Sequence, residues 1–321
     1  MYDVPAPGNL LSALLCRQRN RALLAGKKGY DEFRKTQLGI NGPEYLANDL
    51  DQLSASYDAV VVGSDQVWNV RMYDFDEAFF LGWTKSKKIA YAPSLGVAHL
   101  SLSPDFETIK QWLAEFHSLS AREEIGKKCL EEVTGRAVPK TLDPTLAIDS
   151  KIWDELAGDS PIIQGDYIFY YSWAYREPET SRIVSNESQR LGMPVYVIDP
   201  RKWQGRSPRK WGFSLLTDSG PMVFLNLMKY AKKVFVESFH GMVFAYLFRK
   251  DFWLLDTHEN LCNMDTRLLE FVDLLGIRSR RLTKYNVARL DLNKRISYGE
   301  NTRLNEMRAV SKNYLREALE S

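Results

Sequence analysis

The chain has 321 residues, long for a single hydrophobic core and comfortable for two. Hydrophobic residues at 45% and charged residues at 26% are globular values, and a net charge of +2 gives no general case for nucleic acid or an acidic partner. Cys16, Cys129 and Cys262 are few, odd in number and far apart, which excludes a disulfide framework and fits a reducing compartment.

In chain order, residues 9–25 read as an amphipathic helix carrying Leu11, Leu14 and Leu15 on one side. DAVVV (58–62) is a buried strand ending in Gly63, and IAYA (89–92) a second strand closed by Pro93. Phe106, Ile109, Leu113 and Phe116 share a helical face, HSLSA (117–121) reads as a strand, and Ile125, Cys129 and Val133 recur at helical spacing. Polar residues 149–166, with Gly158, Pro161 and Gly165, read as a linker. The alternation then restarts: strand YIFYY (167–171), helix Pro178–Leu191, strand PVYVI (194–198), helix Pro221–Tyr230, strand Val234–Val236, helix Met242–Phe248 and strand FWLL (252–255). Leu268, Leu269, Val272 and Leu275 mark another helix, and roughly 300–319 a polar one. Strands alternating with helices imply parallel sheets covered on both faces, and two such runs imply two α/β domains with a cleft between them. The expected domains are 1–150, joined by the C-terminal helix 300–321, and 165–290.

Several strand ends are polar beyond what packing needs. In Glu237-Ser238-Phe239-His240-Gly241 an apolar strand meets an apolar helix, where open α/β folds hold anions and substrates. The plain alternative makes Ser238 an N-cap and His240 a first-turn polar residue. Gly63-Ser64-Asp65-Gln66-Val67-Trp68-Asn69 gathers donors and acceptors around one aromatic, more than a cap uses. Arg122, after the HSLSA strand, opposes a helix dipole, which points to a bound anion or an acidic partner. Pro144 holds Asp143 extended, which a turn at a domain edge explains locally. The basic, aromatic segment 201–211 is a solvated loop or, with Trp173 and Tyr175, a surface on which a sugar ring stacks. There is no Walker loop, complete dinucleotide fingerprint, serine elbow or zinc motif, and His99, His117, His240 and His258 lack metal-ligand spacing, so no metal is expected. No apolar run approaches the roughly 20 residues of a membrane span, and the N-terminus, with Asp3 and no basic n-region, is a poor signal peptide. The expected location is the cytoplasm.

With these corners in hand the chain resembles the polysaccharide pyruvyl transferase family. The resemblance rests on an ordered series: YDAVVVGSDQVWN (57–69), IAYAPSLG (89–96), LSARE (119–123), LDPTL (142–146), GPMVFLNLMKYAKKVFVESFHG (220–241) and DTRLLEFVDLLG (265–276). Each piece alone is weak, whereas the series in order is specific and spans roughly residues 30 to 285. The family usually begins with a βα unit, and no such strand precedes Pro5-Ala6-Pro7-Gly8-Asn9, so the first βα unit is expected to be missing.

The resemblance implies two Rossmann-like, GT-B-like domains facing across a cleft. It implies transfer of a pyruvyl group from phosphoenolpyruvate to a sugar of a surface polysaccharide or its precursor, forming a ketal, with no cofactor beyond that co-substrate. His240, Asp143 and Asp65 are then the catalytic candidates; an imidazole suits the general acid because histidine titrates near neutral pH. Arg122, Arg267, Ser238, Gly241 and Ser64 are the candidates for holding phosphoenolpyruvate, and Gln66, Trp68, Asn69 and Trp173 those for the acceptor sugar. The implied partner is a sugar or oligosaccharide, free or lipid-linked, with homo-oligomerisation left open. Two alternatives stand beside this: a GT-B-type glycosyltransferase using a nucleotide sugar, and an inactive shortened relative that only binds sugar.

Overall fold

A computed structural model describes the chain except residues 1–9, 43–44, 46–48, 97–98, 173–177, 199–207, 257–265 and 284 and the side chains of 10–22 and 266–267. It divides into two compact units, one of Met1–Gly42, Asp149–Glu259 and Ser279–Gly299, the other of Pro43–Ile148, Asn260–Arg278 and Glu300–Ser321. In chain order the elements begin with α1 (Leu10–Thr36), α2 (Leu50–Ser54), β1 (Ala59–Gly63), β2 (Lys87–Tyr91), α3 (Phe106–Ala114), β3 (Ser118–Leu119), α4 (Glu124–Thr134) and α5 (Pro144–Ala147). They continue with α6 (Ser150–Leu156), β4 (Ile168–Tyr171), α7 (Pro178–Leu191), β5 (Val195–Val197), β6 (Phe213–Leu215), α8 (Pro221–Tyr230), β7 (Lys233–Val236), α9 (Phe239–Leu247) and β8 (Asp251–Leu255). The last are α10 (Thr266–Leu274), β9 (Arg281–Leu282) and α11 (Thr302–Glu320). No helix among the described residues is long and apolar enough to cross a membrane.

The unit containing 43–148 is built on a parallel sheet in the order β1-β2-β3, with Val61 opposite Ile89 and Ile89 opposite Ser118. One face packs Val62, Ala90 and Leu119 against Ile109, Leu113, Leu130 and Val133 from α3 and α4. The other is covered by α11, whose Tyr314 hydroxyl donates to the Ala90 carbonyl at 2.8 Å and whose Ser311 hydroxyl accepts from the Leu142 amide at 2.8 Å. Coverage on both faces is what a parallel sheet requires, because its crossover helices lie there.

The other unit carries a six-stranded parallel sheet in the order β6-β5-β4-β7-β8-β9. Its central strands bury an apolar core: Ile168, Phe169, Val234, Phe235, Val236 and Leu254 are all 0% exposed. Strands β6 and β9 were not legible in the sequence; they are edge strands of three and two residues, too short to show a period.

The units are interleaved segments: residues 300–321 group with 43–148, as expected of the C-terminal helix, whereas residues 1–42 group with the six-stranded unit. Helix α1 joins the six-stranded unit because Gly26 and Gly29 let it approach the loop before α8: a Cβ at either would lie 2.7 Å from Ser219 atoms. Such tight helix contact needs residues without side chains. The segment 149–166, expected as a linker, holds α6, capped where Asp149 accepts from the Lys151 amide at 3.0 Å.

Candidate functional site

In the three-stranded unit, polar residues collect at the carboxyl ends of β1, β2 and β3. Two non-glycine residues there take left-handed backbone angles, Asp65 (φ 60°) after β1 and Ala92 (φ 52°) after β2. Non-glycine residues in that region cost energy and concentrate at sites that the surrounding structure over-determines. Gly96 (φ +64°) admits no side chain: a Cβ would meet Asn69 Nδ2 at 2.5 Å and Gln66 Oε1 at 2.9 Å.

Arg122 is the centre of this cluster. Its side chain is 0% exposed, and its Nη1 donates to Asp143 Oδ2 at 2.8 Å. Asp65 Oδ1 and Glu123 Oε2 lie 3.6 Å from the guanidinium. Burial pulls the guanidinium pKa down, and the charges of Asp143, Glu123 and Asp65 outweigh it and hold the pKa above the ordinary arginine value. Asp143 accepts three further hydrogen bonds, from the Ser64 hydroxyl at 2.9 Å, the Thr145 amide at 3.0 Å and the Thr145 hydroxyl at 2.6 Å. Glu123, also fully buried, accepts from the Ser94 hydroxyl at 2.8 Å and the Leu95 amide at 2.9 Å, which ties the loop after β2 to the start of α4.

These contacts correct several expected roles. The anion that Arg122 meets is the chain's own Asp143, and the pair is sealed from solvent. Asp143 caps α5 and neutralises Arg122; a buried carboxylate with four donors around it is a counter-ion, poorly suited to taking a proton from substrate. Ser64 serves the same carboxylate. Trp68 is core: it is 0% exposed, stacks on Phe80 with ring centroids 5.2 Å apart, meets Phe116 edge-on, and donates its indole N–H to the Phe79 carbonyl at 2.9 Å. A ring so enclosed offers no face to a sugar. Asn69 is 7% exposed and donates to Gln66 Oε1 at 2.6 Å, so this pair shapes the loop that Gly96 closes. Asp65 stays accessible, with 65% of its side chain exposed. Trp173 lies outside the described residues, as does the side chain of Arg267.

Beside Arg122 a cavity of about 430 Å³ is lined by Lys140, Glu270, Leu274, Arg303 and Met307 among others. Glu270, from α10, accepts from the Glu124 amide at 2.9 Å and pairs with Lys140 at 3.0 Å. A carboxylate thus already occupies the N-terminus of α4, where the helix dipole favours negative charge.

In the six-stranded unit, the corner between β7 and α9 lies at the carboxyl end of the sheet's centre. Ser238 is the N-cap of α9, accepting from the Gly241 amide at 2.9 Å, so the cap alternative describes its side chain. Gly241 is required by contact: a Cβ would sit 2.8 Å from Ser238 Oγ and 3.1 Å from both Val236 Cβ and Tyr171 Cδ1. His240 occupies the first turn, partly exposed, its ring 5.2 Å from that of Phe239. Strands β4 and β7 are neighbours, with Tyr171 opposite Val236. This register carries Ser172 to Glu237, whose Oε2 accepts from the Ser172 hydroxyl at 2.5 Å, while the Glu237 amide donates to the Tyr171 carbonyl at 3.1 Å. Neither Ser172 nor Glu237 was singled out as a functional residue from the sequence. Glu237 stands in the same corner as His240, but Ser172 lies 65 positions away and only the strand order joins them. Among the described residues, no group of three His, Cys, Asp or Glu side chains is arranged to hold a metal ion.

Comparison with known proteins adds three observations. The fold is similar to that of the E. coli heptosyltransferase WaaC with ADP-2-deoxy-2-fluoro heptose, at 11% sequence identity and a TM-score of 0.37, over 81% of this chain and 72% of that one. No curated protein matches the sequence. The family model for polysaccharide pyruvyl transferase matches residues 10–259, which takes in the Gly63–Asn69, Ser120–Glu123 and Glu237–Gly241 corners. By that match over most of its length, the chain belongs to the polysaccharide pyruvyl transferase family.

Proposed function

We propose that the chain transfers a pyruvyl group from phosphoenolpyruvate to a sugar of a surface polysaccharide or its precursor, in the cytoplasm and with no metal or redox cofactor. The observation that carries this reading is the family match over residues 10–259. In the proposed reaction a proton adds to the methylene carbon of the enol phosphate, leaving an oxocarbenium-like centre at C2. A sugar hydroxyl attacks that centre, the C–O bond to phosphate breaks, and a second hydroxyl closes the ketal. One hydroxyl proton balances the proton gained by the methyl group, and the other leaves with phosphate.

His240 is the proposed proton donor to the methylene carbon. It stands in the first turn of α9 at the carboxyl end of β7, on a corner held by the Ser238 cap and the tight packing around Gly241. A helix N-terminus favours an anionic ligand through its amides and dipole, and phosphoenolpyruvate carries both a phosphate and a carboxylate.

The test is release of phosphate from phosphoenolpyruvate by the purified chain, with and without a panel of methyl hexopyranosides and short oligosaccharides. Release that depends on an acceptor is the expected result, and His240→Ala should lower it by roughly 10²-fold or more with urea unfolding unchanged. Turnover of nucleotide sugars with none of phosphoenolpyruvate would overturn the reading in favour of glycosyl transfer.

A further inference from the structure

Ketal formation needs a proton acceptor as well as a donor, because each attacking hydroxyl must lose its proton. The two aspartates that the sequence offers are poorly built for this. Asp143 is 1% exposed and holds Arg122, Ser64 and Thr145 through four hydrogen bonds. Asp65 is mostly open to water, where a carboxylate has little fixed direction, and it lies 3.6 Å from the Arg122 guanidinium.

Glu237 differs from both. It follows β7 directly, and its backbone is fixed by the amide bond to the Tyr171 carbonyl at 3.1 Å. Its carboxylate is aimed by the Ser172 hydroxyl, 2.5 Å from Oε2, on a serine that is 3% exposed. The residue itself is partly open to solvent, so substrate can reach it. It stands three positions before His240, on the one strand-to-helix corner that also carries the proposed proton donor. A second strand thus positions the acid side chain that the first one supplies, the arrangement by which rigid elements hold reacting groups in place.

Resting on the pyruvyl-transfer reading, we infer that Glu237 is the carboxylate that takes the proton from the attacking sugar hydroxyl, and that Ser172 is its positioning residue. As the hydroxyl oxygen bonds to C2 of the donor, its proton passes to Glu237, while His240 supplies the proton that makes the methyl group.

The experiment compares the full chain with its Glu237→Ala, Glu237→Gln and Ser172→Ala variants in acceptor-dependent phosphate release. Glu237→Ala should lose roughly 10²–10⁴-fold in kcat, and added formate, a small carboxylate that fits the vacated volume, should restore part of it. Glu237→Gln keeps the shape and an acceptor for Ser172, and should be as slow but without rescue. Ser172→Ala should lower kcat about tenfold (1.4 kcal/mol) with KM within twofold. In all three, stabilisation by phosphoenolpyruvate in thermal unfolding should persist. Glu237→Ala within fivefold of wild type, or a loss that formate does not relieve, overturns the assignment alone. A wild-type chain that uses no phosphoenolpyruvate with any acceptor overturns the pyruvyl-transfer reading and this inference with it.

Discussion

Removing the counter-ion of Arg122 should be among the most costly single changes to the three-stranded unit. In Asp143→Ala a guanidinium with no exposed side-chain surface loses its 2.8 Å partner. Breaking a buried pair by deleting one member costs about 3–5 kcal/mol, because the remaining charge stays desolvated. The same change removes the cap of α5, worth about 1 kcal/mol, since the Thr145 amide loses its acceptor. Asp65 and Glu123, 3.6 Å from the guanidinium, offset part of the loss. We expect about 4 kcal/mol in all, and at about 2–4 °C per kcal/mol for a unit of this size a melting point roughly 8–16 °C lower. Urea unfolding followed by tryptophan fluorescence measures it, with Trp68 reporting from the same unit's core. A single-variant cost under about 1.5 kcal/mol would refute the buried-charge argument.

Three further outcomes follow from packing and charge. Gly241→Ala should destabilise by about 1–3 kcal/mol, because the new methyl meets Val236 and Tyr171 of the central strands, which cannot retreat; urea unfolding checks this. Trp68→Ala should cost about 3–5 kcal/mol, and a fully stable variant altered only in acceptor KM would restore the sugar-stacking role. Burial, and then the charge of Lys232, lower the Lys250 pKa to about 8 in the folded chain. The folded state therefore binds fewer protons than the unfolded one between about pH 8 and the ordinary lysine value, so this residue's penalty is full below pH 8 and is relieved as pH rises. Relative to Lys250→Met, the wild-type chain should gain stability from pH 8 to pH 10, and a constant difference across that range in denaturant unfolding would contradict it.

Much of the fold is legible as period and punctuation. The apolar runs of β4 and β7 read as strands because parallel strands are apolar on both faces, whereas Val60–Val62, expected to be buried, form an edge strand with Val61 45% exposed. Helices α7 and α8 begin at Pro178 and Pro221, and proline suits the first helical turn. What was not legible depends on residues remote in sequence. The position of α1 rests on Gly26 and Gly29 meeting Ser219 and Gly220, and β6 and β9 exist as strands only because β5 and β8 offer them an edge.

The site divides in the same way. Residue types at strand ends single out the Gly63–Asn69, Ser120–Glu123 and Glu237–Gly241 corners, since their polar groups stand out against apolar runs. Their roles were decided by tertiary contacts: Arg122 met Asp143, Trp68 turned into the core, and Ser172 reached Glu237 across adjacent strands. The amino-acid sequence by itself determined most of the strands and helices and which polar residues stand at strand ends, because those follow from local period and capping. Which charge is neutralised and which ring is covered are matters of burial and strand order, and only the assembled sheets settle them.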